Sequence, residues 1–315
     1  MDTTSQTVLS HFPAPYNQSV ELLRESSETP RVCALDPIRA VKPNPGRWLG
    51  WWHLTSLDAP TVAVVWCEAL ARIVHVVLPL WVPLALGLGT WGIYLGDRLM
   101  DAKRALAPLR ERHWFHWRHR AVLVPLAAIS LIAAVALVLR EMPPAIRQRN
   151  SVLALAALVY FSAIHTRRST AKTASVGWRR LFTKETFVGL IFALVCAAPA
   201  ATRSGHGWAM LIAPVSSCFL LAWLNCWLIE HWDSGVSIGI RLPLALATFT
   251  LCAALLAFTL NAVVAAFFLA STSLSAVLLA GLGHYRCHFD ALLLRAAADL
   301  VLLTPLLIFL LRVPQ

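Results

Sequence analysis

The sequence predicts an all-α, polytopic membrane protein, a helical bundle with about nine transmembrane helices. Its composition is the first reason: 58% of the 315 residues are hydrophobic and only 14% are charged, with a mean hydropathy of +0.65. A soluble domain of this size could not bury so much apolar surface. The second reason is that the apolar residues are grouped into blocks, and a membrane-spanning helix needs about 20 mostly apolar residues.

The apolar blocks follow one another from residue 60 to residue 311. Two of them, residues 60–96 and 242–282, are too long for one helix, because each would reach about 55 to 60 Å at about 1.5 Å per residue. We therefore expect both to fold back, the first near Pro79 and Pro83 and the second near Asn261. The other blocks are predicted single spans: residues 121–139, 151–164, 187–201, 208–229 and 296–311.

The distribution of basic residues predicts the orientation, because cytoplasmic loops accumulate Lys and Arg. With nine spans and the amino end inside, most of the 27 basic residues fall on the inner side. We expect a cytoplasmic amino terminus and an external carboxyl terminus, in the inner or plasma membrane of a bacterium. Residues 1–58 lack helical or strand periodicity and are expected to be a polar, flexible cytoplasmic tail. Residues 59–315 are the predicted transmembrane domain.

Charge and cysteine content argue against other classes of protein. The net charge of +11 could suggest a nucleic-acid partner, but membrane topology explains basic loops without one. The seven Cys residues are dispersed, lack a Cys-x-x-Cys pair and lie mostly inside apolar blocks. They therefore indicate packed thiols and not a disulfide or metal framework.

Two carboxylate pairs stand at the predicted inner ends of spans. Asp97 and Asp101 lie one helical turn apart after the second span, and Glu230 and Asp233 lie one turn apart after the sixth. Carboxylate pairs with substrate phosphate oxygens suit Mg²⁺, and carboxylates near membrane depth are costly unless they pair or bind a ligand. Ordinary solvated ion pairs are the alternative.

The loop after the fourth span carries Arg167, Arg168 and Lys184, which could hold a polyanion through charge-assisted hydrogen bonds. Topology alone also explains these charges. Arg295 and Asp299 stand one turn apart in the last span, where an intrahelical ion pair is the simpler interpretation and a cavity-lining pair is the alternative. Only the basic loop together with both carboxylate pairs suggests a site for a lipid diphosphate.

The layout resembles the UbiA superfamily of intramembrane prenyltransferases, nine-helix proteins with Asp-rich motifs after spans two and six. Asp97 and Asp101 match the last two Asp of its first motif, Asn-Asp-x-x-Asp-x-x-x-Asp, while Ile93 and Tyr94 occupy the first two positions. The second motif is shorter here, with Glu230 and Asp233 preceding residues 237–243.

This resemblance implies Mg²⁺-dependent transfer of a prenyl group from a polyprenyl diphosphate to a lipophilic, aromatic acceptor in lipid or quinone biosynthesis. It implies a catalytic, metal-binding set of Asp97, Asp101, Glu230 and Asp233. Basic residues would hold the diphosphate: Arg98, Arg104, Arg167, Arg168, Lys184 and Arg241. The alternative is a non-catalytic UbiA-like membrane protein, either a lipid-binding scaffold or a transporter.

Overall fold

A computed structural model describes residues 48–104, 111–166, 184–235 and 239–311. Within these ranges all regular structure is helical, which confirms the predicted all-α class. The helices are α1 Trp48–Leu54, α2 Asp58–Ile73, α3 Trp81–Arg104, α4 Glu111–Arg118, α5 Arg120–Glu141, α6 Pro144–Thr166, α7 Lys184–Arg203, α8 Ile212–Asp233, α9 Arg241–Thr259, α10 Val263–His284 and α11 Ala291–Val301. A 3₁₀ segment, Gly205–Leu211, leads into α8, and another, Thr304–Leu310, follows α11.

Six segments of the described chain are long and apolar enough to cross a membrane. They are Arg120–Glu141, Lys184–Arg203, Gly207–Asp233, Arg241–Thr259, Val263–His284 and Ala291–Leu310. The pair α1 and α2, bent by 90° at its break, would be a seventh. The described part of the chain thus fits a helical, multi-pass membrane protein.

Both long apolar blocks break where the sequence predicts. Helix α2 ends at Ile73, His75 adopts a φ of 54°, and α3 begins at Trp81. In the second block Asn261, with a φ of 60°, separates α9 from α10. Asn enters this left-handed region more readily than most residues, so it suits a tight turn between antiparallel helices.

The segment before the first long block is ordered from Trp48 onward. Residues 48–58, which the sequence assigns to the tail, form α1 and a turn, and α1 packs against α11. Residues 1–47, the rest of that predicted tail, lie outside the described residues.

The interior of the bundle is built around α2 and α10. Helix α2 buries Trp66 and Leu70 completely and contacts α3 and α7, while α10 buries Phe268 and contacts α8 and α9. Helix α7 approaches α8 closely at Gly189, where a Cβ would lie 3.0 Å from the backbone nitrogen of Trp223. Close helix contacts through small residues are typical of membrane bundles, where burial of apolar surface does not itself favour association.

Candidate functional site

Five polar residues from five helices meet at one end of the bundle. They are His53 of α1, Asp58 of α2, Arg98 of α3, Asn225 of α8 and Asp299 of α11, and each is less than a tenth exposed. We call this group the polar centre. Asp58 is the first residue of α2, Asp299 lies in the last turn of α11, and Arg98 and Asn225 lie in the carboxyl-terminal halves of α3 and α8.

The turn between α1 and α2 positions the first two members. Ser56 has a φ of 59°, and its Oγ lies 3.1 Å from Nε2 of His116 in α4. The indole of Trp91 in α3 donates to the carbonyl of Thr55 at 3.0 Å. These contacts hold the turn against α3 and α4, so that His53 and Asp58 point into the bundle.

His53 lies between two carboxylates. Its Nδ1 is 2.7 Å from Oδ2 of Asp58 and 3.2 Å from Oδ2 of Asp299. Nδ1 therefore faces both carboxylates, whereas Nε2 has no hydrogen-bond partner among the described residues. One ligating atom from each of the three side chains lies within 4.8 Å of the other two, which is close enough for a shared metal ion.

Arg98 neutralises part of this negative charge. Its Nη2 donates to Oδ2 of Asp58 at 3.1 Å, and its Nη1 donates to the carbonyl of His53 at 3.5 Å. The guanidinium also lies over the ring of Tyr94, 4.6 Å from the centroid. This cation–π contact adds a further partner for the buried guanidinium.

Asn225 fixes the second carboxylate. Its Nδ2 donates to Oδ1 of Asp299 at 3.0 Å, whereas its buried Oδ1 has no hydrogen-bond partner among the described residues. Oδ1 of Asp58 accepts from the backbone nitrogen of Ala59 at 2.9 Å, at the amino end of α2. Asp58 is therefore oriented by donors on both oxygens, and Asp299 by a donor on Oδ1.

A second ion pair lies beside the polar centre. Arg295 of α11 donates to Oδ1 of Asp233 in α8, and both side chains are less than a tenth exposed. Since Arg295 binds Asp233 and Asp299 faces His53 and Asn225, both charges of the last span make their contacts with other helices. Arg295 and Asp299 therefore do not form the intrahelical pair of the simpler interpretation, and the cavity-lining alternative stays a prediction.

The residues predicted from sequence lie in different environments. Asp97 and Asp101 are half-buried near the end of α3, Asp233 is in the ion pair with Arg295, and Glu230 is exposed. Among the predicted diphosphate ligands, Arg98 is buried in the polar centre, Arg104 ends α3, and Lys184 and Arg241 are exposed at the starts of α7 and α9. Arg167 and Arg168 lie outside the described residues.

Sequence reasoning missed His53, Asp58 and Asn225 as site residues. The first two fall in the segment assigned to a flexible tail, and Asn225 lies in an otherwise apolar span. The signal that could have found them is the placement of polar side chains at the edge of or inside apolar blocks, since such residues are costly in a membrane and need partners.

An apolar groove runs between α2 and α3 and begins beside the polar centre. Its volume is about 460 Å³, within the range of small-ligand pockets. Its lining residues are Leu57, Pro60, Val64, Glu68, Leu80, Pro83, Leu84, Gly87, Leu88 and Trp91. Leu57 and Trp91 mark the end near the polar centre, and Glu68 is the one charged residue among those that line it.

No protein-family model, curated protein or solved structure matches the chain. Function is therefore inferred from its own residues and contacts.

Proposed function

We propose that the chain is a membrane prenyltransferase of the UbiA type, which transfers a prenyl group from a polyprenyl diphosphate to a lipophilic, aromatic acceptor. The observation that carries this proposal is that the apolar groove between α2 and α3 ends at Trp91, about two to three helical turns before Asp97 and Asp101 on the same helix. A polyprenyl diphosphate has the same two parts, an ionised head and a long hydrocarbon. Such a ligand suits both surfaces at once.

The head-group part of the proposal rests on α3. Asp97 and Asp101 stand one turn apart and are half-buried, so they fit Mg²⁺, which usually takes one or two carboxylates and keeps water and phosphate oxygens. The pair on α8 fits less well, because Asp233 already binds Arg295 and Glu230 is exposed. Bound Mg²⁺ would neutralise the diphosphate and favour its departure.

The basic residues near the same helix ends have a positioning role in this proposal. The exposed Lys184 and Arg241 can donate to phosphate oxygens, and Arg104 is the last residue of α3. Arg98 is bound to Asp58, so its part is to hold α2 and α3 together. The groove between these two helices would shelter the hydrocarbon and keep water from the reacting carbon.

The proposal includes nine spans, with the amino terminus inside and the carboxyl terminus outside. Every predicted span coincides with a helix or a 3₁₀ segment, which supports this count. Helices α3 and α6 also coincide with predicted spans, although they are not among the six segments that are long and apolar enough by themselves. In this arrangement the polar centre lies on the cytoplasmic side of a bacterial inner membrane.

A non-catalytic lipid-binding protein is the second candidate. The observation that favours it is that Arg98 and Asp233, two of the predicted site residues, are held in buried internal ion pairs. A relative that has lost turnover could keep these contacts for stability and the groove for binding.

The test uses the full-length protein purified in mild detergent, with Mg²⁺, radiolabelled geranyl to longer prenyl diphosphates and a panel of aromatic acceptors. We expect Mg²⁺-dependent release of diphosphate with the intact protein and its loss in Asp97→Ala and Asp101→Ala. Glu141→Ala is the matched control, because Glu141 is a carboxylate at the opposite end of the fold and pairs with Arg140.

Binding and turnover separate the two candidates. Labelled diphosphate that binds with Mg²⁺ but is not consumed would support the non-catalytic protein. Absence of both Mg²⁺-dependent binding and release in the intact protein would overturn the proposal.

A further inference from the structure

We propose that the polar centre is a second, separate metal site, in which His53, Asp58 and Asp299 bind one divalent transition-metal ion of the Zn²⁺, Mn²⁺ or Fe²⁺ class. The amide Oδ1 of Asn225 is the proposed fourth ligand. This site is distinct from the Asp97 and Asp101 pair, and it stands whether or not the protein transfers prenyl groups.

The spacing of the donors supports a shared ion. Nδ1 of His53 lies 2.7 Å from Oδ2 of Asp58 and 3.2 Å from Oδ2 of Asp299. Neighbouring donors around a tetrahedral ion with metal–ligand distances of about 2.0 to 2.2 Å lie roughly 3.3 to 3.6 Å apart, so an ion here requires His53 and Asp58 to separate by somewhat less than about 1 Å. The three side chains come from α1, α2 and α11, so the bundle brings them to this separation from distant parts of the chain.

An unsatisfied polar atom is the second, independent observation. The buried Oδ1 of Asn225 lacks a hydrogen bond to any described residue, although Asn225 is only 5% exposed. Roughly nine in ten buried polar groups are hydrogen-bonded in native proteins. Asn225 and His53, whose Nδ1 faces two carboxylate oxygens, both contact Asp299, and a metal ion accepts lone pairs from nitrogen and oxygen alike.

The charge balance calls for an added cation. Among the described residues, Arg98 is the one arginine bonded to the carboxylates Asp58 and Asp299, and the neighbouring Arg295 is neutralised by Asp233. With both carboxylates ionised and a neutral imidazole, the centre carries one net negative charge in a buried setting. A divalent ion changes this to one net positive charge and a proton on His53 changes it to zero, so charge alone does not choose between them.

A protonated His53 is the competing way to balance the charge. Its Nδ1–H would face the two carboxylates, 2.7 Å from Asp58 and 3.2 Å from Asp299. In both states Nε2 carries a proton that has no acceptor among the described residues, so metal content has to decide between them.

The donor set defines the class of metal. One imidazole nitrogen with carboxylate and amide oxygens suits Zn²⁺, Mn²⁺ or Fe²⁺, whereas Mg²⁺ and Ca²⁺ prefer oxygen ligands alone. The outer contacts are those of an oriented site: Arg98 on Asp58, the Ala59 backbone nitrogen on the same carboxylate, and Asn225 Nδ2 on Asp299. Such contacts fix the direction of metal ligands.

The experiment measures metal in the purified full-length protein, as isolated and after chelator treatment and reloading with Zn²⁺, Mn²⁺ or Fe²⁺. We expect about one ion per chain by mass spectrometry, and at least a tenfold lower content in His53→Ala and Asp299→Asn. His288→Ala is the matched control, because His288 is exposed and lies just before α11. It should retain the wild-type stoichiometry.

X-ray absorption of the loaded wild-type protein keeps the proposal testable if a variant fails to fold. The expected spectrum has a first shell of nitrogen and oxygen only. The proposal is overturned by a sulfur ligand, by a wild-type protein that takes up none of the three metals, or by unchanged metal content in the folded His53→Ala and Asp299→Asn variants. The absence of uptake would assign the charge balance to a protonated His53.

Discussion

The polar centre and the helix ends both contain carboxylates, but these carboxylates differ in burial and in their contacts. Asp58 and Asp299 are buried and contact residues from other helices, whereas Glu230 is exposed and Asp101 is half-buried. The helix-end pairs are visible in the sequence because their members are one turn apart. Partners in the polar centre are separated by 40 and 74 positions. Spacing along the sequence predicts which residues are neighbours on one helix. Which carboxylates are buried away from water depends on how the helices pack, and only the structure shows that.

The largest expected effect on stability comes from removing the guanidinium of Arg98 from the polar centre. Arg98→Ala leaves Asp58 buried without its Arg partner, and breaking a buried ion pair in this way costs about 3 to 5 kcal/mol. We expect a loss of that size in the free energy of unfolding, measured by denaturing-detergent titration in mixed micelles.

The double variant Arg98→Ala/Asp58→Asn supplies the control, because it removes both charges. It should recover a large part of the lost stability. If it is as unstable as the sum of the two single variants, the ion pair is not the reason for the effect.

Asp233→Ala is expected to have the next largest effect on stability. It tests whether this helix-end carboxylate is buried like those of the polar centre. Its partner Arg295 has a side chain only 9% exposed, so its charge would remain largely buried. We expect a loss of about 2 to 4 kcal/mol in the same titration. A loss below about 0.5 kcal/mol would mean that the pair is solvated and that Asp233 resembles Glu230.

Asp101→Ala separates function from stability. Asp101 is half-buried near the end of α3, so we expect a change in unfolding free energy below about 1 kcal/mol. Mg²⁺-dependent binding of a prenyl diphosphate should nevertheless fall at least tenfold, as measured by equilibrium binding with a labelled ligand. Unchanged binding in a folded variant would remove Asp101 from the proposed Mg²⁺ ligands.

Glu230→Ala gives the smallest expected change. Its side chain is exposed, and surface substitutions usually alter stability by no more than about 0.5 kcal/mol. Thermal unfolding in detergent should be indistinguishable from that of the wild type. A clear fall in melting temperature would show that the two carboxylates at the end of α8 act together.

The sequence was sufficient for the class of fold and for the breaks in the long blocks. Apolar blocks of sufficient length predict helices, and the turns after Ile73 and at Asn261 appear where they are expected. These features depend on local composition and length, which a sequence displays directly.

Burial within the bundle was not predictable in the same way. In the most apolar window of α5 22% of the residues are buried, against 67% for α10, although both helices qualify as spans. Apolarity measures compatibility with lipid, and lipid is as apolar as a packed interior. The interior helix α10 is marked instead by buried small polar residues, namely Ser271, Thr272, Ser273 and Ser275.

The polar centre depends on long-range packing for the same reason. His53 and Asp58 lie at the edge of the first apolar block, and only the 90° bend between α1 and α2 turns them inward. No local periodicity encodes that bend. Asp299 was noted from the sequence, but its partners on α1 and α8 were not.

A double-mutant cycle between His53 and Asp299 tests most directly whether the first and last described helices share one polar centre. The single variants His53→Asn and Asp299→Asn and their combination are compared by unfolding free energy in the same micelle. Residues in one network show coupling of about 0.5 to 3 kcal/mol, and we expect a value in the upper half of that range. Additivity to within about 0.3 kcal/mol, the behaviour of distant sites, would contradict the convergence of α1 and α11 on this centre.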